Sequence, residues 1–151
     1  MIYIGCDPGP KTGAICWIQS QGTVCYTKRF MDITEKDLSN KIAEIKAMSA
    51  NCVCIIEKVW AFPKQGVTSA FSFGENYGLL RALMIAHNIP HKLVTPKTWQ
   101  KFYGMKKNPG ETKTAWKRRL RGRAQELFPT ANISEETADA ILIAQYCRKN
   151  Y

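Results

Sequence analysis

The sequence predicts an α/β protein: a mixed five-stranded sheet, made of a three-strand antiparallel meander plus parallel strands, flanked by helices. Three observations carry this. Apolar runs at 2–6, 13–19 and 23–31 are joined by short turn segments, which is how a meander reads. The run "CVCIIE" at 52–57 is apolar on both faces, as central parallel strands are. From residue 34 onward strand-like runs alternate with helix-like ones, giving the order βββαβαβαα, and that alternation needs parallel strands at the centre of a layered sheet.

Taken in order, "IYIGC" at 2–6 is a buried strand, "GAICWIQ" at 13–19 a second, and "QG" at 21–22 a turn into the third, "TVCYTKRFM" at 23–31. From 34 to about 49 the period becomes helical, with Leu38, Ile42, Ile45 and Met48 spaced by four and three. The fourth strand is 52–57. Residues 67–86 form a long helix despite Gly74 and Gly78. Val67, Phe71, Phe73, Tyr77, Leu79, Leu80, Leu83 and Met84 spread over more than one stripe of it, which predicts burial on more than one side. "HKLV" at 91–94 is a short fifth strand. Helices follow at 112–127 and 134–148, joined by "FPTANIS", with Ser134 placed to cap the second. There is no repeat, low-complexity tract or interdomain linker, and the 151 residues (1–151) read as one domain.

No stretch approaches the 18 or so continuous apolar residues of a membrane span, so no membrane partner is expected. No secretory signal is visible, and a cytoplasmic, intracellular protein is the expectation. The six cysteines sit mostly in apolar runs and lack zinc-ligand spacing, which argues for buried thiols in a reducing compartment. Charge is more telling. Lys and Arg number 22 against 12 Asp and Glu, a net +10. Between Lys97 and Arg123 there are ten basic residues and one acid, Glu111. That excess favours a polyanionic partner. Lys97, Lys106, Lys107, Lys117, Arg118 and Arg121 are the candidates to grip it. Adjacent residues such as Arg118 and Arg119 point about 100° apart on a helix, so not every cation in the run can face one ligand.

Within this basic chain the acids have their own pattern. Asp7 and Glu57 each end an apolar strand. Tyr3, Gly5 and Asp7 share one strand face; Val53, Ile55 and Glu57 share another. If the strands are neighbours, the carboxylates converge at one sheet edge, where α/β folds place their chemistry. In "ISEETADAILIAQYC", Glu136 and Asp139 lie three apart on a helix face continued by Ala140, Ile143 and Cys147. Acids on an inward-facing apolar side need a partner or a metal. Four crowded carboxylates suit hard divalent cations: two Mg²⁺ ions, with Mn²⁺ able to substitute. Such a pair activates water and stabilises the leaving oxygen of a phosphodiester. An acidic metal centre in a basic protein is the pattern of a nuclease.

"IGCDPGPKTG", "IIEKVWAF", "VTPKTWQKFYG" and "ETADAILIA", in that order, closely resemble the RuvC family of Holliday junction resolvases, within the RNase H-like superfold and nearest its phage and organellar branch. The resemblance spans nearly the whole chain. It implies that Asp7, Glu57, Glu136 and Asp139 are the catalytic metal ligands, Glu136 standing where the family often has Asp. It implies that Trp60 contacts unstacked bases at the crossover, and that Lys97 and Lys113 lie near the scissile phosphate, with Lys113 donating to the developing charge. It further implies a homodimer formed through the long helix 67–86, acting on a four-way DNA junction. Should Trp60 not sense bases, Phe62 is the next candidate. Among alternatives, another RNase H-like nuclease cutting RNA or branched, flap-type DNA would share the acids. An actin-like phosphotransferase would need two such domains, and a non-catalytic binding module would not need all four acids.

Overall fold

The computed structural model describes residues 1–9, 11–22, 25–61 and 66–151. Its elements are β1 (Ile2–Asp7), β2 (Ala14–Gln19), β3 (Cys25–Arg29), α1 (Glu35–Met48), β4 (Cys52–Glu57), α2 (Val67–Ala86), β5 (His91–Val94), α3 (Pro96–Phe102), α4 (Lys113–Leu127) and α5 (Glu135–Asn150), with a short 3₁₀ turn at Phe30–Asp32. The five strands lie in the order β3-β2-β1-β4-β5. β1–β2 and β2–β3 are antiparallel; β1–β4 and β4–β5 are parallel. The mixed sheet expected from the sequence is present.

Alternation along the strands sorts the core into two layers. Ile2, Ile4 and Cys6 of β1, with Cys52, Cys54 and Ile56 of β4, face α1 and α2. Tyr3, Val53 and Ile55 face the opposite way, towards α4 and α5. β1 is buried along its whole length, as a central strand covered on both faces must be. The thiols of Cys6, Cys16, Cys52, Cys54 and Cys147 are all buried and not in disulfides.

α5 crosses the sheet very close to β1, and Gly5 is why it can. A Cβ at Gly5 would lie 2.2 Å from the Ala144 nitrogen and 2.4 Å from the Ala140 oxygen, both backbone atoms. Small residues at 140 and 144 and none at 5 let the helix backbone rest on the strand. Its start is fixed by a capping box, Ser134 accepting from Thr137 N–H while the Thr137 hydroxyl accepts from Ser134 N–H. The result is that Asp139, one turn into the helix, is delivered over the C-terminal end of β1.

The sequence reading missed α3 altogether. The signal was there: Thr95 caps the helix by accepting from Thr98 N–H, and Pro96 takes the first turn, where its missing N–H costs nothing. Seven residues carry too little periodicity to be seen otherwise. β3 is shorter than the 23–31 run proposed for it, because Phe30–Asp32 turns into the 3₁₀ segment; Thr23 and Val24 lie outside the described residues. α2 spans the expected residues, but within one chain only Leu80 and Met84 on it are buried. No helix among the described residues is long and apolar enough to cross a membrane.

Candidate active site

The register of β1 on β4 pairs Gly5 with Ile55 and Cys6 with Ile56, so its continuation sets Asp7 beside Glu57. Both strands end there, on the face covered by α5. Asp7, Glu57 and Asp139 line one cleft of about 350 Å³, together with Glu136, Lys113 and Lys117. Glu136 and Asp139 come from the same helix but differ in surroundings. Asp139 is buried at 6% exposure, while Glu136, near the helix start, is only partly buried. Hydrogen bonding from Ser134 and its own N–H holds the Glu136 carboxyl below the usual glutamate range, helped by Arg29.

The inner acids behave in the opposite way. Burial, then the neighbouring Asp139, pushes Asp7 up to about 7, against the pull of Lys117 and of the Gly9 N–H that donates to Asp7 Oδ1 at 3.2 Å. Burial, then Asp7 and Asp139, raises Glu57 to about 8. The loop holding Asp7 is tight: Gly13 N–H donates to Gly9 O at 2.8 Å, and a Cβ on Gly13 would lie 2.1 Å from Gly9 O. Glu57 is held by a residue the sequence reading passed over. Trp99 of α3, fully buried, donates its indole N–H to Glu57 Oε2 at 2.7 Å. A buried Trp needs an acceptor for that N–H, so "KTWQ" in a chain with a strand-end carboxylate was a usable signal.

Lys113 and Lys117 lie one turn apart on α4 and both line the cleft. Lys117, read from sequence as a DNA-gripping residue, reaches furthest in. Its Nζ donates to Asp139 Oδ2 at 2.5 Å. Burial alone would lower its pKa, but Asp139, Asp7 and Glu57 outweigh that and raise it. Phe73 of α2, which the sequence marks only as one of that helix's apolar residues, also lines the cleft. Trp60, half exposed, lies beyond β4 and does not line the cleft. Phe62 lies outside the described residues. Lys97, Lys106, Lys107, Arg118 and Arg121 are exposed on α3, α4 and the loop between them, away from the cleft lining.

The donor set tests well against a hard divalent cation in chemistry: every acid is a carboxylate, and Asp139 Oδ1 is buried with no hydrogen-bond partner. As the side chains stand, no group of three or more His, Cys, Asp or Glu among the described residues is arranged to hold a metal ion, and the Lys117 ammonium is the cation bonded to Asp139.

No protein-family model matches the chain, and no curated protein does. Solved structures do. The Thermus thermophilus RuvC structure in complex with Holliday junction substrate superposes with a TM-score of 0.67 at 14% identity, over 99% of this chain and 97% of that one. A second Thermus thermophilus RuvC structure gives 0.63 at 14% identity, over 95% and 91%. The fold is therefore RNase H-like, with the sheet and flanking helices of RuvC.

Proposed function

We infer that the chain is a structure-selective endodeoxyribonuclease that resolves four-way DNA junctions by paired, metal-dependent hydrolysis of phosphodiester bonds, working as a homodimer. The observation that carries this is the convergence of Asp7, Glu57 and Asp139, from β1, β4 and α5, on a lysine-lined cleft in a protein of net charge +10. The likeness to RuvC supports the junction as substrate.

Asp7, Glu57, Asp139 and Glu136 would hold Mg²⁺ or Mn²⁺, which when bound supplies an activated water and charge neutralisation at the phosphate. The chain's own groups do the rest. Trp99 fixes the Glu57 carboxylate and the Gly9 N–H fixes Asp7, so neither acid has to be ordered when substrate arrives. Lys113, on the cleft wall, donates to the non-bridging oxygens of the scissile phosphate, where charge builds as the bond breaks, while Lys117 is the cation bonded to Asp139. Trp60, half exposed three residues beyond Glu57, offers a ring on which an unpaired base at the crossover can stack. The exposed apolar residues of α2 supply the dimer face, and a two-fold dimer matches a nearly two-fold junction.

The test is one gel: a synthetic four-way junction, its linear duplex and an RNA–DNA hybrid, each with Mg²⁺ or EDTA. Symmetric paired incision of the junction with Mg²⁺ alone is expected. An intact junction rejects the reading, and preferential cutting of the hybrid replaces it with the RNA-directed alternative.

A further inference from the structure

The basic run contains one acid, and the structure gives it a definite post. α3 ends where Gly104, at φ 65°, turns the chain; Met105 N–H then donates to Gln100 O at 2.9 Å and its side chain packs on the core. The chain continues through Lys106, Lys107, Asn108, Pro109 and Gly110, the last at φ 73°, before Thr112 caps α4. Glu111 closes this loop. Its Oε2 accepts from Asn108 N–H at 2.9 Å, and its own N–H donates to Asn108 O at 3.1 Å. Arg119 Nη1 donates to both Glu111 oxygens, at 3.0 and 2.9 Å, and to Lys106 O at 3.3 Å. The Arg119 guanidinium lies over the Trp116 ring, 5.1 Å from its centre, and the Glu111 side chain is 8% exposed. The loop is thus tied at 105, 106, 108 and 111, while Lys106 and Lys107 themselves are exposed.

On charge alone a carboxylate here opposes binding of a polyanion. In geometry it does the reverse, because it holds two lysines on a fixed backbone. Their position is also distinctive. Arg119 is two residues past Lys117, about 200° around α4. Lys113 and Lys117 occupy the flank on the acid cleft. The Glu111–Arg119 pair and its loop occupy the other flank, with the buried Trp116 and Leu120 between. The loop that carries Lys106 and Lys107 is therefore anchored on the flank of α4 turned away from Lys113 and Lys117.

We propose that Glu111 and Arg119 form a positioning clamp that presents Lys106 and Lys107 as a second phosphate-binding point, across α4 from the acid cleft, for backbone adjoining the cleaved strand. This rests on the nucleic-acid reading above. The two residues act through the loop and not on the reacting atoms.

Glu111→Gln separates charge from geometry, since it raises the net charge yet breaks the clamp. Arg119→Lys keeps the charge but takes away the Nη1 donor shared by Glu111 and Lys106 O and the guanidinium over Trp116, and it carries the test should Glu111→Gln fold poorly. Two readouts are needed. Brief trypsin digestion without DNA should cut after Lys106 and Lys107 about tenfold faster in both variants, with little change in thermal midpoint. Junction binding should weaken roughly five- to tenfold, and the log–log salt slope should become less negative by nearly two, the loss of about two phosphate contacts. Lys106→Met with Lys107→Met should reproduce that loss, and adding Glu111→Gln to it should cost nothing more. Tighter binding by Glu111→Gln with an unchanged slope overturns the clamp, as does unaltered trypsin cutting of the loop. A wild-type chain that binds neither junction nor duplex overturns the function reading as well, a result distinct from the other two.

Discussion

Two helices rich in apolar residues, α2 and α5, end in opposite surroundings. Every residue of α5 from Thr137 to Asp139 and on to Gln145 is buried. On α2 only Leu80 and Met84 are, while Val67 is 86% exposed and Phe71 and Ile85 are each 66% exposed. Composition alone would have buried both. What separates them is the size of the residues that meet the sheet. α5 presents Ala140 and Ala144 to a glycine, so backbone lies on backbone and the helix is enclosed. α2 carries large side chains on sides that nothing in the described chain covers. Apolar richness reports that a helix will be covered; small-residue spacing reports that its own sheet can come close enough to do it.

The largest effect should come from spoiling the close approach. Gly5→Val places side-chain atoms against α5 backbone, which cannot move aside without undocking the helix. A loss of more than about 4 kcal/mol is expected, enough to leave little folded protein. On α2, a Cβ at Gly74 meets nothing within 4 Å, and Gly74→Ala should instead stabilise by about 0.5–1 kcal/mol. Circular dichroism melts of the pair measure both; a Gly5→Val protein melting near wild type would contradict the packing.

Next in size is chemistry at the end of β1, where α5 delivers Asp139. Asp7→Asn deletes one carboxylate and leaves the basic surface intact. Cleavage of a junction in Mg²⁺ should fall by about 10³-fold or more, some 4 kcal/mol of barrier, with binding unchanged. Cutting near the wild-type rate would remove Asp7 from the site.

Smaller in energy, but specific to the other helix, is the effect of charge on α2. Phe71→Glu together with Ile85→Glu changes side chains that are already in solvent in one chain. The fold should shift by no more than about 0.5 kcal/mol per substitution. Association should be lost: sedimentation is expected to show a wild-type dimer and a variant monomer at micromolar concentration. A wild-type monomer under those conditions means that α2 does not form the proposed interface.

Much of this was legible in advance, and the parts that were not share a cause. The bounds of β4, α2 and β5, and the convergence of Asp7 with Glu57, follow from runs of apolar residues with a fixed period. So does the inward turn of Asp139. α3, with seven residues, is too short to show a period, and the Trp99–Glu57 bond and the reach of Lys117 to Asp139 join residues 42 and 22 positions apart, where no local period exists. Lys113 and Lys117 share a helix face by spacing, but nothing in that spacing says which of them reaches the acids. The different environments of Glu136 and Asp139 were hidden for a similar reason: one turn of helix separates solvent from the sheet.

The smallest effect bears on what the burial of α5 costs. Packing that helix onto β1 brings Asp139 against Asp7 and Glu57 in a site largely removed from water. Asp7 is raised from 3.8 to about 7 and Glu57 from 4.5 to about 8. Between the lower and upper values the folded chain therefore holds protons that the unfolded chain has released. Stability of the metal-free protein must then fall as pH rises across that window, and the contribution of these two acids is fully present only below their ordinary values of 3.8 and 4.5. Asp7→Asn removes one of the charges responsible. In EDTA its thermal midpoint should exceed that of wild type by an amount that grows from pH 5 to pH 8. A few kcal/mol at most are available from a shift of this size, or several degrees at about 2–4 °C per kcal/mol for a chain of this length. Lys117→Met should do the reverse and steepen the fall, because the Lys117 ammonium lowers the pKa values of Asp7 and Glu57. Substitutions at Phe71 or Ile85 should leave the pH dependence untouched, since α2 brings no acid to this site at those positions. Parallel melting curves for wild type and Asp7→Asn from pH 5 to 8 would show that the carboxylates at the sheet edge are not crowded in solution.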